Sequence, residues 1–573
     1  MSIAQTQGAQ PTRRFRFRVS AFELLSIAVA ALIVFLVVYP AVVMLVRVFY
    51  VDGQFNASAF QRVASTSWLL PTLGNTAIAV LGGGFVAIVT ASLFAWLNER
   101  TDARLKVIGD IMPVIPLLVP AVAMAIGWVF LASPGAGFIN GALRAIFGPL
   151  GLNVQVNILS WPGVIFVYAL YFVPYVYLIV AAAFRNIDPA LEEASRLSGA
   201  SMWMTLRRVS LPAIKPALIG ASLLIVIVGL SLYSIPVVIA NRAGIDILSV
   251  RILRSLTFEF PPRTDQAIVL SLFMLAAIAT VWTIQRRVTG SGNFATIGGK
   301  SARHVLVELG PWKWVARTFM FTYILFTSIL PLAALLLVAL QPFWRPVIDP
   351  ATFTLDNFYE ALIGRPVTRT GLMHSLGLGM VVGIVGMLLA ALMALYVKNA
   401  PRSVGRVVDG TMKFPAALSH IVIAVGFLLA FSGPPFNLSG TLLLLFIVYV
   451  ILHLPEASIA ATAAVSQVGK DLLEASETSG ASQGRTFRKI LLPLIVPGFV
   501  SGWALLFVLT AGELTASSLL AGIRNPVVGF VLLDIWEQGT FGTLAALAFT
   551  FTMITTAIVL IATLVSRRGF HSR

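Results

Sequence analysis

The sequence predicts an all-α integral membrane protein whose twelve transmembrane helices form two parallel six-helix repeats. Composition, long apolar runs and a duplicated segment lead to this fold class. The chain has 573 residues, of which 58% are hydrophobic and 11% are charged, whereas about 25% charged residues are usual in a soluble domain. Runs without Asp, Glu, Lys or Arg cover 71–97, 216–241 and 318–344. They are apolar on all sides and exceed the ~20 residues that a membrane-spanning helix needs, so they predict helices and not the alternating strands of a barrel.

The charge-free runs between charged or Gly/Pro-rich breaks predict the twelve spans. They cover residues 21–46, 71–97, 111–132, 161–184, 213–240, 265–284, 315–340, 374–397, 413–432, 440–463, 491–520 and 541–566. We interpret the first as an uncleaved span. Its apolar run is much longer than the roughly 7–15 residues of a signal peptide, and no small-residue cleavage site follows it.

The distribution of Lys and Arg predicts that both termini are cytoplasmic. With this orientation, 29 of the 40 Lys and Arg lie on the cytoplasmic side and 11 on the outer side, as the positive-inside rule requires. The net charge of +17 is thereby explained without a nucleic-acid partner. The outer loop 241–264, which has four Arg, departs from the rule. The absence of Cys excludes disulfides, thiolate-bound zinc and iron–sulfur clusters.

A segment between the fourth and fifth spans recurs at the same place in the second half. Shifting 188–216 by 281 positions gives 14 identities in 29 residues. Because each unit has six spans, the two halves have the same orientation and are related by an axis along the membrane normal. The predicted organisation is a basic tail (1–20), a first half (21–285), a linker (286–314) and a second half (315–573).

The repeated segment predicts a short helix, a tight turn and a second helix. Asp188 is suited to cap a helix that starts at Pro189. Gly199 is free to adopt a positive φ at its end, and Ser201 is suited to cap the next helix. We expect Leu211-Pro212 to break this second helix, which would then lie at the membrane surface. Gly480, Ser482 and Pro493 keep the turn, the cap and the break in the second copy.

These residues resemble the E-A-A signature, followed by Gly and Leu-Pro at fixed spacing, of binding-protein-dependent ABC transporter permeases. The residues that carry the match in the first copy are Glu193, Ala194, Gly199, Leu211 and Pro212. Those in the second copy are Glu474, Ala475, Gly480, Leu492 and Pro493. Ser195 and Ser476 stand where the signature has its second Ala.

The resemblance implies a type I ABC importer permease in a bacterial inner membrane. The loops 185–215 and 464–493 would each couple to one of two ATP-binding subunits on the cytoplasmic side, and a substrate-binding protein would dock outside. ATP and Mg would then be bound by the partners, with no cofactor in this chain and no enzymatic activity of its own. The fusion of two halves, the stretch 235–238 and the stretch 512–517 are similar to ferric-iron permeases. Relatives for aminophosphonate, thiamine, polyamine or sulfate share much of this framework.

A secondary transporter and a membrane enzyme are the alternative functions. A secondary transporter can also have twelve spans in two parallel halves, but it does not need two matched cytoplasmic loops. A membrane enzyme needs clustered catalytic side chains at one membrane depth, and we identify no catalytic residues. The stretch 298–301 resembles the end of a phosphate-binding loop, but Phe294 occupies the position of the required Gly, so the chain is not expected to hydrolyse ATP.

Four residues are candidates for the substrate path: Tyr233, Ser234, Glu513 and Thr515. Glu513 is predicted inside the eleventh span, where a carboxyl group is costly and often functional. A hydrogen bond to a neighbouring helix is the alternative explanation for Glu513, and helix packing is the alternative for the small residues. The three histidines in or beside spans are interpreted as isolated, so no metal site is predicted.

Overall fold

The computed structural model describes residues 21–51, 54–104, 115–290, 306–466, 476, 478–481, 483–486, 488–489 and 492–571. Helices dominate this part of the chain, as predicted. Its only strands are β1 (Tyr50–Val51) and β2 (Gln54–Phe55), which form one antiparallel pair.

The described part of the first half contains ten helices. They are α1 (Ala21–Phe49), α2 (Ser58–Ala64), α3 (Leu69–Arg100), α4 (Ala121–Ala132), α5 (Phe138–Phe147), α6 (Trp161–Arg185), α7 (Pro189–Leu197), α8 (Met202–Ser231), α9 (Leu248–Thr257) and α10 (Thr264–Gly290). Short 3₁₀ helices cover Ile115–Leu118 and Gly148–Leu150, and a π turn covers Pro236–Ala240.

The second half, as far as it is described, contains twelve helices. They are α11 (Trp312–Leu340), α12 (Asp356–Tyr359), α13 (Pro366–Asn399), α14 (Arg402–Lys413), α15 (His420–Phe431), α16 (Leu442–Leu452), α17 (Leu454–Ser466), α18 (Gln483–Thr486), α19 (Leu492–Ala511), α20 (Ser517–Leu520), α21 (Val528–Gln538) and α22 (Phe541–His571). 3₁₀ helices cover Pro350–Thr352 and Phe414–Ala417, and a π turn covers Glu360–Gly364.

The helices account for the twelve predicted spans. Among the described residues, nine helices are long and apolar enough to cross a membrane. The ninth and tenth spans are helix pairs, bent by 106° before α15 and by 54° between α16 and α17. The third span is represented by the shorter helix α4, and the predicted start of this span falls partly outside the described residues.

The predicted break at Leu211-Pro212 is wrong, because α8 continues through both residues. A π turn over Leu206–Ser210 precedes the proline. Such a turn shifts the hydrogen-bond register and leaves a carbonyl without its usual donor, so the missing amide of Pro212 is tolerated there. The same arrangement recurs in α11, where a π turn over Leu325–Ile329 ends two residues before Pro331.

The fifth and eleventh spans end earlier than predicted. Helix α8 ends at Ser231 and α19 ends at Ala511, whereas the sequence predicted 240 and 520. The first break is followed by the short helix α9. The second is followed by α20 and then by the short helix α21. A hydroxyl group binds the first backbone N–H of each of these helices, α9 and α21. Thr76 Oγ1 accepts a hydrogen bond from Leu248 N (2.9 Å), and Ser375 Oγ accepts one from Val528 N (2.8 Å).

The arginines of the loop 241–264, which the sequence predicts on the outer side, all contact aromatic or acidic side chains. Arg242 lies 4.0 Å above the ring of Trp536, and Arg251 lies 4.2 Å above the ring of Trp68. Acidic partners are present for the others, at 3.6 Å for Arg254–Asp246 and 2.7 Å for Arg263–Glu259.

The two halves are interlocked through their first spans. Helix α1 packs against α15 of the second half, and α11 packs against α4 of the first. Both contacts place a glycine against a proline. The Cβ of an alanine at Gly127 would lie 2.7 Å from backbone atoms of Pro331, and one at Gly426 would lie 3.3 Å from Pro40 Cβ. Both interfaces therefore pack a glycine against a proline, but the Gly127–Pro331 contact is closer than the Gly426–Pro40 contact.

Candidate functional site

The first repeated loop has the predicted helix–turn–helix geometry. The Asp188 carboxylate accepts a hydrogen bond from Ala190 N (3.0 Å) at the start of α7. Gly199 has a φ of +82°, a conformation that glycine adopts with least strain. The Ser201 hydroxyl accepts from Met204 N (3.3 Å) and caps α8. The cap, turn and cap inferred from the sequence are thus confirmed.

The second loop repeats the turn where it is described. Gly480 has a φ of +77°. The hydroxyls of Ser195 and Thr205 lie 3.0 Å apart, and those of Ser476 and Thr486 lie 2.7 Å apart. Sequence reasoning treated the two serines only as departures from an alanine. The signal for their role was the identical Ser-x₉-Thr spacing in both copies.

An ion pair that is largely shielded from solvent attaches the first loop to the membrane helices. Glu192 Oε2 lies 3.0 Å from Arg100 Nε at the end of α3, and the two side chains are only 12% and 4% exposed. Glu192 also accepts a hydrogen bond from Ser210 in α8 (2.6 Å). Arg100 donates to the carbonyl of Phe184 at the end of α6 (2.7 Å). The Glu192 carboxylate therefore links the loop to α3 and α8, and Arg100 continues the connection to α6; sequence reasoning missed this pair.

The solvent-exposed surface of the first loop is partly apolar. Glu193 and Ala194 are exposed beside Leu197, which is 90% exposed. Trp203 is 65% exposed on the following helix. Glu474 and Ala475 lie outside the described residues, while Leu492 and Pro493 begin α19. Leu211 and Pro212 are exposed near the start of α8, so the prediction that they end a helix does not hold.

The candidate path residues lie in the two breaks that follow α8 and α19. Tyr233 is buried and Ser234 is half-buried in the first break, and Tyr233 faces Ser518 of the second half. Glu513 and Thr515 are buried in the second break. The structure therefore places residues from both breaks at the boundary between the halves.

Glu513 does not lie inside a helix, contrary to the prediction. Its carboxylate accepts hydrogen bonds from the backbone N–H groups of Ala516 (2.9 Å) and Ser517 (3.0 Å). These donors begin α20 and have no partner within a preceding helical turn. The carboxylate thus stabilises the break, and this polar environment reduces the cost of its burial.

Two of the three histidines are not isolated, and one of them lies next to Glu513. His420 Nδ1 is 3.7 Å from Glu513 Oε1, and the rings of His420 and His453 lie 5.8 Å apart. His374 is elsewhere, with Nδ1 2.9 Å from the carbonyl of Pro526. Sequence reasoning also overlooked Glu456, three residues after His453. The described residues contain no group of three or more His, Asp or Glu arranged to hold a metal ion.

A duplicated helical membrane protein with two matched turns is the arrangement expected of a transport subunit. The class is confirmed by the family model for the binding-protein-dependent transport system inner membrane component, which matches residues 83–288 and 384–569. The chain belongs to this family. It is the permease subunit of an ABC importer, and ATP hydrolysis occurs on a separate subunit.

Two relatives named for ferric transport match most of the chain, and a third relative matches less than half of it. The ferric transport system permease protein FbpB of Actinobacillus pleuropneumoniae is 25% identical over 93% of this chain and 77% of its own length. The putative ferric transport system permease protein FbpB 1 of Haemophilus influenzae is 25% identical over 84% of this chain and 75% of its own. The putative 2-aminoethylphosphonate permease PhnV of Salmonella paratyphi A is 25% identical over 40% of this chain and 86% of its own.

Proposed function

We propose that this permease carries ferric iron across a bacterial inner membrane. The observation that carries the proposal is the match of both halves, in one chain, to permeases named for ferric transport. The aminophosphonate relative aligns with only 40% of the chain. Aminophosphonate, thiamine, polyamine and sulfate are the alternative cargoes if the chain does not transport ferric iron.

Each repeated loop is the docking site for one ATP-binding subunit. The support is geometric, since two like turns on one membrane face suit two like partners. In the first loop, Glu193 and Ala194 form the exposed contact and Gly199 forms the turn. Leu211 and Pro212 join the loop to the fifth span. The second-loop counterparts are Glu474, Ala475, Gly480, Leu492 and Pro493. ATP and Mg²⁺ are held by the partner subunits.

The loops and both termini face the cytoplasm, and a substrate-binding protein docks on the opposite face. The charge distribution supports this orientation. The functional units are the halves 21–285 and 315–573, joined by the linker 286–314 and preceded by the tail 1–20, with coupling loops at 185–215 and 464–493. Tyr233, Ser234, Glu513 and Thr515 line the path between the halves.

Co-purification tests the docking role directly. The full chain, tagged and expressed with the ATP-binding subunit of its transporter, should retain that subunit in mild detergent. Replacing Glu193 and Glu474 together by alanine should lower the retained amount at least tenfold. Glu360→Ala, a change in an outer segment, is the control and should retain the partner normally. Full retention by the double variant would contradict the docking role.

A further inference from the structure

Ionisable side chains gather where three helix breaks of the second half meet. The breaks are the 106° bend before α15, the 54° bend at His453 and the segment between α19 and α20. Non-helical backbone at membrane depth is tolerated only inside protein or beside a water-filled space. Ionisable groups in spans are costly and mark pathways of ions and substrates. We refer to His420, His453, Glu456 and Glu513 as the His/Glu cluster.

Two side-chain atoms of the His/Glu cluster are buried without a hydrogen-bond partner among the described residues. His453 is 3% exposed, and its Nε2 has no hydrogen-bond partner among the described residues. Oε2 of Glu456 is buried and, within the same part of the chain, also has none. Leaving a buried polar group unpaired is energetically unfavourable. The side chain of His420 is 35% exposed whereas that of Glu513 is 3% exposed, so the cluster is reached from the side of His420.

The His/Glu cluster is confined to one half of the duplicated framework. Pro174 and Pro455 mark equivalent positions in the fourth and tenth spans, 281 residues apart. With this spacing, and 299 for the third and ninth spans, the first-half equivalents of the four cluster residues are Ala121, Phe172, Tyr175 and Leu232. Packing of the duplicated fold therefore does not require ionisable groups at these positions.

Tyr175 stands in the first half where the cluster has a carboxylate. It is the first-half equivalent of Glu456, just as Pro174 is the equivalent of Pro455. Its hydroxyl is 3.2 Å from that of Tyr171. Carboxylates and imidazoles meet where the helix breaks of the second half come together. This combination of oxygen and nitrogen donors suits a hard or borderline multivalent cation.

We propose that the His/Glu cluster is the site at which the permease contacts a multivalent cation in transit. The inference rests on the proposed function and assigns ferric iron as that cation. The described residues do not form a ready metal site of three or more ligands. This agrees with transit, because a conducting site must bind the ion weakly enough to release it. Tight capture belongs to the extracytoplasmic partner.

The test measures the maximal rate of radiolabelled ferric uptake in cells that contain the whole transporter. Glu456→Gln and His453→Asn should each lower the rate at least tenfold. Glu456→Asp, which keeps the carboxylate, should retain at least a third of it. The matched control is Glu360→Gln, whose 43% exposed side chain pairs with Arg365, and it should leave the rate unchanged. Membrane content and retention of the ATP-binding subunit are measured for each variant and should match the intact chain.

Each outcome decides a different point. Rates within twofold of the intact chain for Glu456→Gln and His453→Asn would overturn the cluster assignment and leave ferric transport standing. An equal loss in Glu456→Asp and Glu456→Gln would also overturn it, because a donor role needs the carboxylate and packing does not. If Glu456→Gln does not reach the membrane, the uptake rate of His453→Asn tests the cluster assignment on its own. Spermidine uptake is measured in parallel. Uptake of spermidine alone would overturn iron as the cation, and uptake of neither cargo by the intact chain would overturn the cation assignment together with the proposed function.

Discussion

Matched substitutions at the two glycine–proline contacts between the halves test the interlocked fold. In Gly127→Ala the new Cβ would lie 2.7 Å from Cα, Cβ and O of Pro331. Two of these three atoms are backbone and cannot rotate away, so the helices must separate. In Gly426→Ala the nearest atoms, Cβ and O of Pro40, lie at 3.3 and 3.4 Å. A shift of a few tenths of an ångström relieves that contact.

The expected magnitudes follow from these distances. Overpacking costs about 1–3 kcal/mol, while replacing glycine by alanine inside a helix gains up to about 1 kcal/mol. Gly127→Ala should therefore lower the free energy of unfolding by about 1–2 kcal/mol. Gly426→Ala should change it by less than about 0.5 kcal/mol. Gly74→Ala has no heavy atom within 4 Å of its new Cβ, so it measures the helix-propensity gain alone.

The assay is reversible unfolding of the purified chain in mixed micelles, with increasing SDS and tryptophan fluorescence as the readout. The difference between variants is the relevant quantity, because the absolute free energy depends on the micelle. Equal effects of Gly127→Ala and Gly426→Ala, or a greater loss in Gly426→Ala, would refute the packing argument.

Four further substitutions probe the loops and the segment 241–264. Gly199→Ala and Gly480→Ala each place a side chain at a positive φ, so each should cost about 1 kcal/mol and weaken retention of the ATP-binding subunit about fivefold in co-purification; unchanged retention would contradict the role of the turns. Glu192→Ala leaves buried Arg100 without its carboxylate and should destabilise the chain by about 3 kcal/mol in the SDS assay, whereas a loss below about 1 kcal/mol would show that the pair is not structurally important. Arg242→Ala removes a cation–π contact between the halves, should cost about 0.5–2 kcal/mol and should shift tryptophan emission; an unchanged spectrum would contradict this contact.

The spans and the loop turns were predictable because their signals are local. Apolar runs identify membrane helices directly. A glycine two residues before a capping serine favours a tight turn, and Gly199 and Gly480 adopt a positive φ in the two copies. The end of the second loop helix was not predictable in the same way. Pro212 interrupts an ideal helix, but the preceding π turn accommodates it, and a π turn leaves no clear pattern in the sequence.

The centre of the second half was the hardest part to infer, because its geometry depends on contacts between distant segments. Glu513 lies in an apolar stretch that predicts a continuous span, yet its carboxylate binds the backbone just beyond a break. His420 and His453 are 33 positions apart, and only the packing of the ninth and tenth spans brings their rings together. Glu456 follows His453 by three residues, so that part of the pattern was visible in the sequence.

The central claim is that this permease imports ferric iron by coupling to ATP-binding subunits through its two loops. The most direct measurement is ATP-dependent uptake of radiolabelled ferric iron in cells lacking the gene, complemented with the intact chain or with the variant in which Glu193 and Glu474 are both replaced. We predict that only the intact chain restores uptake, although both proteins reach the membrane in equal amounts. Normal uptake with the double variant would contradict the coupling role of the loops, and uptake that does not depend on the gene would contradict iron as the cargo.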